Sequence, residues 1–516
     1  MKTQLTNSAF WLLLVLTALY YGYHEYAQLG PVSVHSWRQA DGASFAYCYY
    51  KEGMALLEPK VMNMSNGENN AASEFPIMYY LSALLYHYFG VHAWIPRSLN
   101  FLAVALGLFF LYRLLRDVYQ NWKIALAAPF LILGLPVLAY YGFNFLPNPV
   151  AYGIILIAAW AYFQYEKAGN MRYYYLMCIL TLLGGLIKIS LLIPFIAIGG
   201  VMLIEKLLPP ERQKMKTPPW GTLIASIMLT TVATGAWYAW AAHYNHIHDS
   251  DIFMTDPNPI WKMASEDAYY TWQMFKRPDE FWHIIIWKYT LYLFLGLTAV
   301  NLILFRGLSR PAYIFLALTT LGSVSFLLLF YGQLLVHSYY WIDVLPLFTF
   351  LISLSLYRVK QSAPGAFKNP VVLIGLWIFV SANIHYTANK LQHYFYSEDF
   401  LDDLTPGFEK QAELQAFYQD HGIIYDSTLV SVVPDVTPNL DLYYLKLRGW
   451  SWPRDQYFND ENIKWQARNF GIDYFVVTDT SYFRKTDLKE VFESPKLVFN
   501  NSIYFYDLSR FKEGTK

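Results

Sequence analysis

Two things are scarce in this chain: cysteine and charge. Of its 516 residues only two are cysteines, Cys48 and Cys178. They lie far apart, and Cys178 falls inside an apolar run, which excludes a disulfide framework and a cysteine-based metal site. Charged residues make up 15% of the chain, against about 25% in an ordinary soluble domain. Lys and Arg balance Asp and Glu at 38 each, so no basic surface for nucleic acid is implied. No fixed-period repeat and no low-complexity tract is present.

Apolar residues fill the space instead, at 55% of the chain. A hydrocarbon core of roughly 30 Å takes about 20 apolar residues per helix. On that basis eleven spans are expected: Ala9–Leu29, Pro96–Leu115, Ile124–Tyr141, Pro149–Phe163, Tyr173–Leu186, Leu191–Leu207, Gly221–Ala242, Ile284–Phe305, Ala312–Tyr331, Tyr339–Leu356 and Val371–Tyr386. The first reads as an anchor and not a cleaved signal, since no small-residue cleavage site follows it. Basic residues collect in alternate loops: Arg113, Arg116 and Lys123; Lys167 and Arg172; Lys206, Arg212, Lys214 and Lys216; Arg306 and Arg310; Arg358, Lys360 and Lys368. Such loops mark the cytoplasmic side. An odd span count then places the N-terminus inside and the C-terminus outside. The expected architecture is an all-α membrane bundle over 1–389, with two interfacial helices in an outer loop at 30–94, and a small exoplasmic α/β domain over 390–516. In that domain Ile423–Tyr425, Leu429–Val433, Tyr474–Thr478 and Ile503–Tyr506 read as strands, and Phe400–His421 and Glu461–Phe470 as helices.

The first outer loop is dense in chemistry. His35, Trp37, Arg38, Gln39 and Asp41 fall within seven residues, too polar a run for a connector on lipid. Asp41 reads as an N-cap of a helix stopped by Gly53. Phe45, Cys48, Tyr49 and Glu52 recur at the spacing of one helical face, as in a helix lying at the membrane surface. Glu74-Phe75-Pro76 opens a second helix, with Pro76 at its first position. Simple capping would explain either acid; together they can converge over one cavity. After the seventh span, His243 and His246 are spaced so as to admit a divalent cation with Glu74, though a solvated polar loop fits that stretch better.

The run His35–Asp41, then Glu74-Phe75-Pro76 and Pro96-Arg97-Ser98-Leu99, resembles the membrane glycosyltransferases of the C-type superfamily. The likeness is to the bacterial branch akin to protein O-mannosyltransferases and lipid A aminoarabinose transferases. Phe145-Leu146-Pro147-Asn148, Gly185-Leu186-Ile187-Lys188 and His337-Ser338-Tyr339-Tyr340 agree in order and side. The resemblance implies a multi-pass protein of the bacterial inner membrane that moves a sugar from a polyprenyl-phosphate donor to a protein, lipid or glycan acceptor. It implies Asp41 as general base and Glu74 as its catalytic companion. Arg38, Arg97, Lys188, His337, Tyr339 and Tyr340 are expected around the donor's phosphate and sugar, and His35, Trp37, Gln39 and Asn148 in contact with acceptor or donor. No cofactor is required, a divalent metal ion being the one candidate. Three positions depart from the family pattern: Gly42 follows Asp41 where Glu is common, Phe143 stands for Arg, and Asn148 stands for Asp. A transporter or flippase, and a relative that has lost activity, are the competing readings.

Overall fold

The computed structural model describes residues 2–64, 67–253, 257–277, 279, 281–303, 308–396, 405–435, 437–453, 458–484 and 487–512. Arg306 and the start of the expected helix at Phe400 lie outside them. The chain divides into two compact units, one of residues 1–27, 97–239 and 256–393, the other of 28–96, 240–255 and 394–516.

The first unit is helical. A helix stands at each of the eleven expected segments. Six helices among the described residues are long and apolar enough to cross a membrane: Trp94–Tyr119, Ile189–Lys206, Trp220–Ile247, Arg310–Leu329, Ser338–Ser362 and Pro370–His393. A bent pair, Trp122–Leu133 and Pro136–Gly142, raises the number to seven. Eleven full crossings are thus not confirmed, since several of the expected segments are short or broken. Large apolar side chains on these helices face outward, among them Ile196, Leu229, Leu321 and Ile378. In water such exposure would be costly; in lipid it is the favoured arrangement. The protein is an integral membrane protein.

The break between Leu133 and Pro136 turns the chain by 76°. Proline lacks the N–H that would continue the helix, so carbonyls at the bend lose their partners. Distant side chains replace them. Asn383 donates to the Leu131 carbonyl, Tyr21 to that of Leu133, and Thr387 to that of Gly134. A second close fit joins Trp94–Tyr119 to Asn148–Ala168. A Cβ on Gly153 would lie 2.3 Å from the Ala103 carbonyl oxygen, and one on Gly107 would lie 2.6 Å from the Gly153 Cα. Two small residues let the backbones touch, the usual device for packing helices in lipid.

The second unit holds a five-stranded sheet: β1 Leu429–Val433, β2 Arg448–Ser451, β3 Tyr474–Val477, β4 Lys496–Phe499 and β5 Ile503–Asp507, in the order β2-β1-β3-β5-β4. β1 runs parallel to β2 and β3, while β5 is antiparallel to β3 and β4. Three expected strands are found. Ile423–Tyr425 is not one; it leads into a turn, and β2 and β4 were not foreseen. The helices Gln411–His421 and Asp460–Phe470 match expectation except for the start of the first. The early loop adds to the free edge of the sheet. Met64 N–H donates to the Gly449 carbonyl, and Gly449 N–H to that of Met62. Gly449 is required in β2 because a Cβ there would sit 1.8 Å from the Val430 carbonyl oxygen.

Gly153→Val is expected to force the two helices of the first unit apart at a cost of about 2 kcal/mol or more, typical of overpacking. The thermal midpoint of the purified protein in detergent should fall by several degrees, whereas Gly221→Ala, which meets nothing, should leave it in place.

Candidate active site

Of the acids of the early loop, Asp41 lies on the helix Ser36–Glu52 and Glu74 just ahead of the helix Ile77–Phe89, both in the second unit. Gly53 ends the first and Gly90 the second, both at positive φ, as expected. The starts differ from expectation. His35, in the left-handed region, is the N-cap, so Asp41 lies inside the helix and caps nothing. Pro76 is itself the N-cap of the second helix, and Glu74 precedes it. Nor does Ser36–Glu52 carry a lipid-facing stripe, since every residue from Gln39 to Tyr49 is buried. Phe45 stacks on Tyr79 and Phe253, Tyr47 meets Tyr425, and Tyr49 meets Tyr80. The apolar spacing seen in the sequence serves a protein core.

Arg38 lies between the two acids. Its Nη2 donates to Glu74 Oε1 at 2.6 Å, and its Nη1 lies 3.7 Å from Asp41 Oδ2. Ser73 Oγ donates to the other Glu74 oxygen at 2.5 Å, and the Tyr79 hydroxyl donates to Oε1. Burial pushes Glu74 upward, but the Arg38 guanidinium and the two hydroxyls outweigh it and hold the carboxyl at about 2. Asp41 is 2% exposed. Burial pushes it up to about 6; Arg38 and an amide from Asn439 act downward, while Glu74 and Asp435 add to the rise. Two carboxyls that share one arginine are thus held far apart in acidity. This is the division by which one site keeps a permanent anion beside a group that exchanges a proton near neutrality.

Asn439 completes the site and is not among the residues expected there from the sequence. Its Nδ2 donates to Asp41 Oδ1 at 2.9 Å. Its Oδ1 accepts from the Asn63 N–H at 3.0 Å and from Ser44 Oγ at 3.2 Å. A backbone N–H can only donate, so the amide is fixed with its NH2 toward Asp41. Oδ1 of Asp41 is therefore an acceptor, and Oδ2 is left as the oxygen that can take a proton. Asn439 is the N-cap of Leu440–Leu445 yet makes no capping bond. Asp435 and Thr437 cap in its place, with Asp441 N–H donating to Asp435 Oδ2 and Leu440 N–H to Thr437 Oγ1. The polar run Asp435–Asn439 was the available signal, since a turn that already has two caps leaves a third free for other work.

The remaining residues of the early motif make local contacts. Gln39 is fully buried and donates to the Val32 and Val34 carbonyls, and the His35 and Trp37 rings meet edge to face. His243 and His246 are exposed. Among the described residues no three ligand-type side chains come together as a metal site, and both Glu74 oxygens are taken up by Arg38, Ser73 and Tyr79.

In the first unit Asn148 and Lys188 meet at Asp343, which was not foreseen. Asn148 Nδ2 donates to its Oδ1 at 2.8 Å, Ser190 Oγ to its Oδ2 at 2.6 Å, and Lys188 Nζ lies 3.7 Å away. Lys188 also stands over the Tyr340 ring at 4.6 Å. An acid is thus present beside Asn148 after all, supplied from Ser338–Val344. His337 and Tyr339 are 3.4 Å apart, Nδ1 to hydroxyl. Arg97 is fully buried; it donates to the Phe143 carbonyl at 2.8 Å and lies against the Phe145 ring.

Residues 73–238 match the family described as dolichyl-phosphate-mannose-protein mannosyltransferase. No curated protein matches the chain in sequence. In fold it is similar to ArnT from Cupriavidus metallidurans in the apo state, with a TM-score of 0.61 at 10% identity over 99% of this chain and 100% of that one. The same protein bound to undecaprenyl phosphate gives 0.62 at 10% identity, over 98% and 99%. Arabinofuranosyltransferase AftD from Mycobacteria gives 0.50 at 13%, over 91% of this chain and 35% of that one.

Asn439→Ala should leave buried partners of Ser44, Asn63 and Asp41 unsatisfied and cost about 1–3 kcal/mol, read as a lowered denaturation midpoint. Asn439→Asp sets a second carboxyl against Asp41. Two adjacent buried carboxylates resist joint ionisation, so its deficit should be larger at pH 8 than at pH 5.

Proposed function

The chain has the C-type membrane glycosyltransferase fold, and from that premise we propose that it transfers a sugar from a polyprenyl-phosphate carrier to an acceptor at the outer face of a bacterial inner membrane. The observation that carries the proposal is the division of labour between Asp41 and Glu74. An acceptor hydroxyl attacks the anomeric carbon of the donor as the bond from that carbon to the phosphate oxygen breaks. The polyprenyl phosphate leaves with the electron pair, and Asp41 Oδ2 receives the hydroxyl proton. One such displacement inverts the anomeric centre. Glu74 remains ionised and holds Arg38, which in turn limits how far burial can raise Asp41. Too high a pKa would leave Asp41 protonated, and too low a pKa would make it a feeble base.

The phosphate is assigned to Lys188. A lysine beside a fully buried aspartate within apolar helices is costly unless it is used. An apolar cavity of about 600 Å³ begins at Ile189 and Leu192, next to Lys188 in the chain, and runs between Met171–Ile187, Ile193–Lys206 and Trp220–Ile247. Its walls suit an isoprenoid tail. The undecaprenyl phosphate bound to ArnT supports that chemical class. Tyr340 lies against Lys188, and His337 and Tyr339, on the same stretch of chain, are assigned with it to the donor's headgroup. The alternation of basic loops supports a cytoplasmic N-terminus and an exoplasmic C-terminus.

With a lipid-linked sugar donor, Asp41→Asn should lower transfer by about 10²–10⁴-fold, the range for a lost general base, while leaving donor binding intact. Lys188→Met should instead weaken retention of polyprenyl phosphate. Because Asp41 must be ionised to act, the rate should fall as pH drops, half-lost near pH 6. The same raised pKa means the fold binds that proton more tightly than the unfolded chain does. Asp41's contribution to stability therefore improves as pH falls from about 6 toward 4, opposite to the activity. Transfer that persists in Asp41→Asn, or a rate flat from pH 5 to 8, would exclude this role.

A further inference from the structure

The second unit contains a cleft of about 930 Å³ whose lining includes neither Asp41 nor Glu74. Lys446 closes the helix Leu440–Leu445, whose other end carries Asn439. With a rise of about 1.5 Å per residue, the two ends are roughly 10 Å apart along the helix. Lys446 has φ 55, in the left-handed region where glycine or asparagine is usual at a helix end. A long side chain held in that conformation is a reason to ask what it is for. Its ammonium stands over the Tyr443 ring at 3.3 Å and the Tyr47 ring at 5.0 Å. Among the described residues no carboxylate lies within ion-pair distance of it. Burial pulls its pKa well down, as expected of a cation that lacks a counter-charge.

The other walls are of the same kind. Lys51, over the Tyr50 ring, brings a second cation; His92 lines the cleft, and Gln28 and Gln415 add amides. The one carboxylate, Glu409, already accepts the Gly407 N–H at 2.7 Å. Aromatic faces, amides and two lysines against one engaged acid suit a sugar that bears negative charge. The rings pack on its C–H faces, the amides meet its hydroxyls, and the lysines take its anion. The volume matches that of ordinary ligand pockets.

We propose that this cleft binds an anionic glycan, a sugar carrying phosphate or carboxylate, through Lys446, Lys51 and the Tyr47 and Tyr443 rings. Its role as the acceptor's subsite rests on the transfer reading; its ability to bind does not. A ligand there would touch the far end of the helix that positions Asn439 against Asp41.

The test is calorimetric titration of the full-length protein in detergent, without donor, using glucose 1-phosphate, glucuronic acid, glucose and inorganic phosphate. Glucose 1-phosphate and glucuronic acid should bind at least tenfold more tightly than glucose or phosphate alone. Lys446→Asn, which keeps the left-handed backbone, should remove at least tenfold of that affinity with an unchanged thermal midpoint; Lys446→Gly serves as a second variant that relieves the backbone. A dodecyl-linked glucose phosphate distinguishes sources: equal affinity indicates a free glycan and a gain of tenfold or more a lipid-borne one, either being consistent with the site. Asp41→Asn should bind these probes as the parent does, so loss of transfer and loss of cleft binding are read separately. Absence of binding by both anionic sugars, equal binding of glucose or of phosphate alone, or affinity unaltered in both Lys446 variants would overturn the proposal.

Discussion

One guanidinium sets the character of the second unit. Arg38 reaches two carboxyls, Asp41 on its own helix and Glu74 in the segment ahead of the next, and burial acts on both. With Glu74 it makes a short charge-assisted hydrogen bond, reinforced by two hydroxyls, so ionisation there is secure. With Asp41 it stands at 3.7 Å, close enough to oppose desolvation and too far to cancel it. Arginine suits the post because its planar fork can address two acceptors while its charge is never lost. A lysine would offer a point charge to one of them. Without the cation, two buried carboxyls would have to be neutralised by protonation, and neither could remain a base near neutral pH.

The amide of Asn439 is the second constraint. It selects which oxygen of Asp41 is free, and it is held by Ser44 and Asn63 on one side while Asp435 and Thr437 relieve it of capping. The C-terminal sheet thus has a role beyond covering surface. Through Gly449 it receives the early loop as an edge partner, and Tyr425, ahead of β1, donates to Glu52 of the early helix, which also accepts from Asn69. The loop and the sheet form one compact unit despite more than three hundred residues of intervening chain.

Much of this was legible in the order of residues. Apolar length located a helix at every expected segment, because in lipid a helix is nearly the only way to satisfy the backbone. Glycines 53 and 90 marked helix ends correctly, since each needs positive φ. The clustering of His35–Asp41 and Glu74 pointed to the acid pair. Three things were not legible. The bend at Gly134 looks apolar throughout, and the side chains that rescue it come from Tyr21, Asn383 and Thr387. Asp41 looked like a cap because aspartate before an apolar run usually is one; its actual partner lies 398 positions away. Asp343 escaped notice because it sits amid apolar residues, and only the fold brings it to Lys188 and Asn148. Each miss is a long-range pairing that local spacing does not encode.

The bend at Leu133–Pro136 has a consequence for biogenesis. Two of the three donors that capture its stranded carbonyls, Asn383 and Thr387, belong to the helix Pro370–Tyr396, made long after the bend itself. Until that helix is synthesised, the carbonyls of Leu131 and Gly134 lack those donors. The bend is therefore a feature that the ribosome lays down early and the chain completes late.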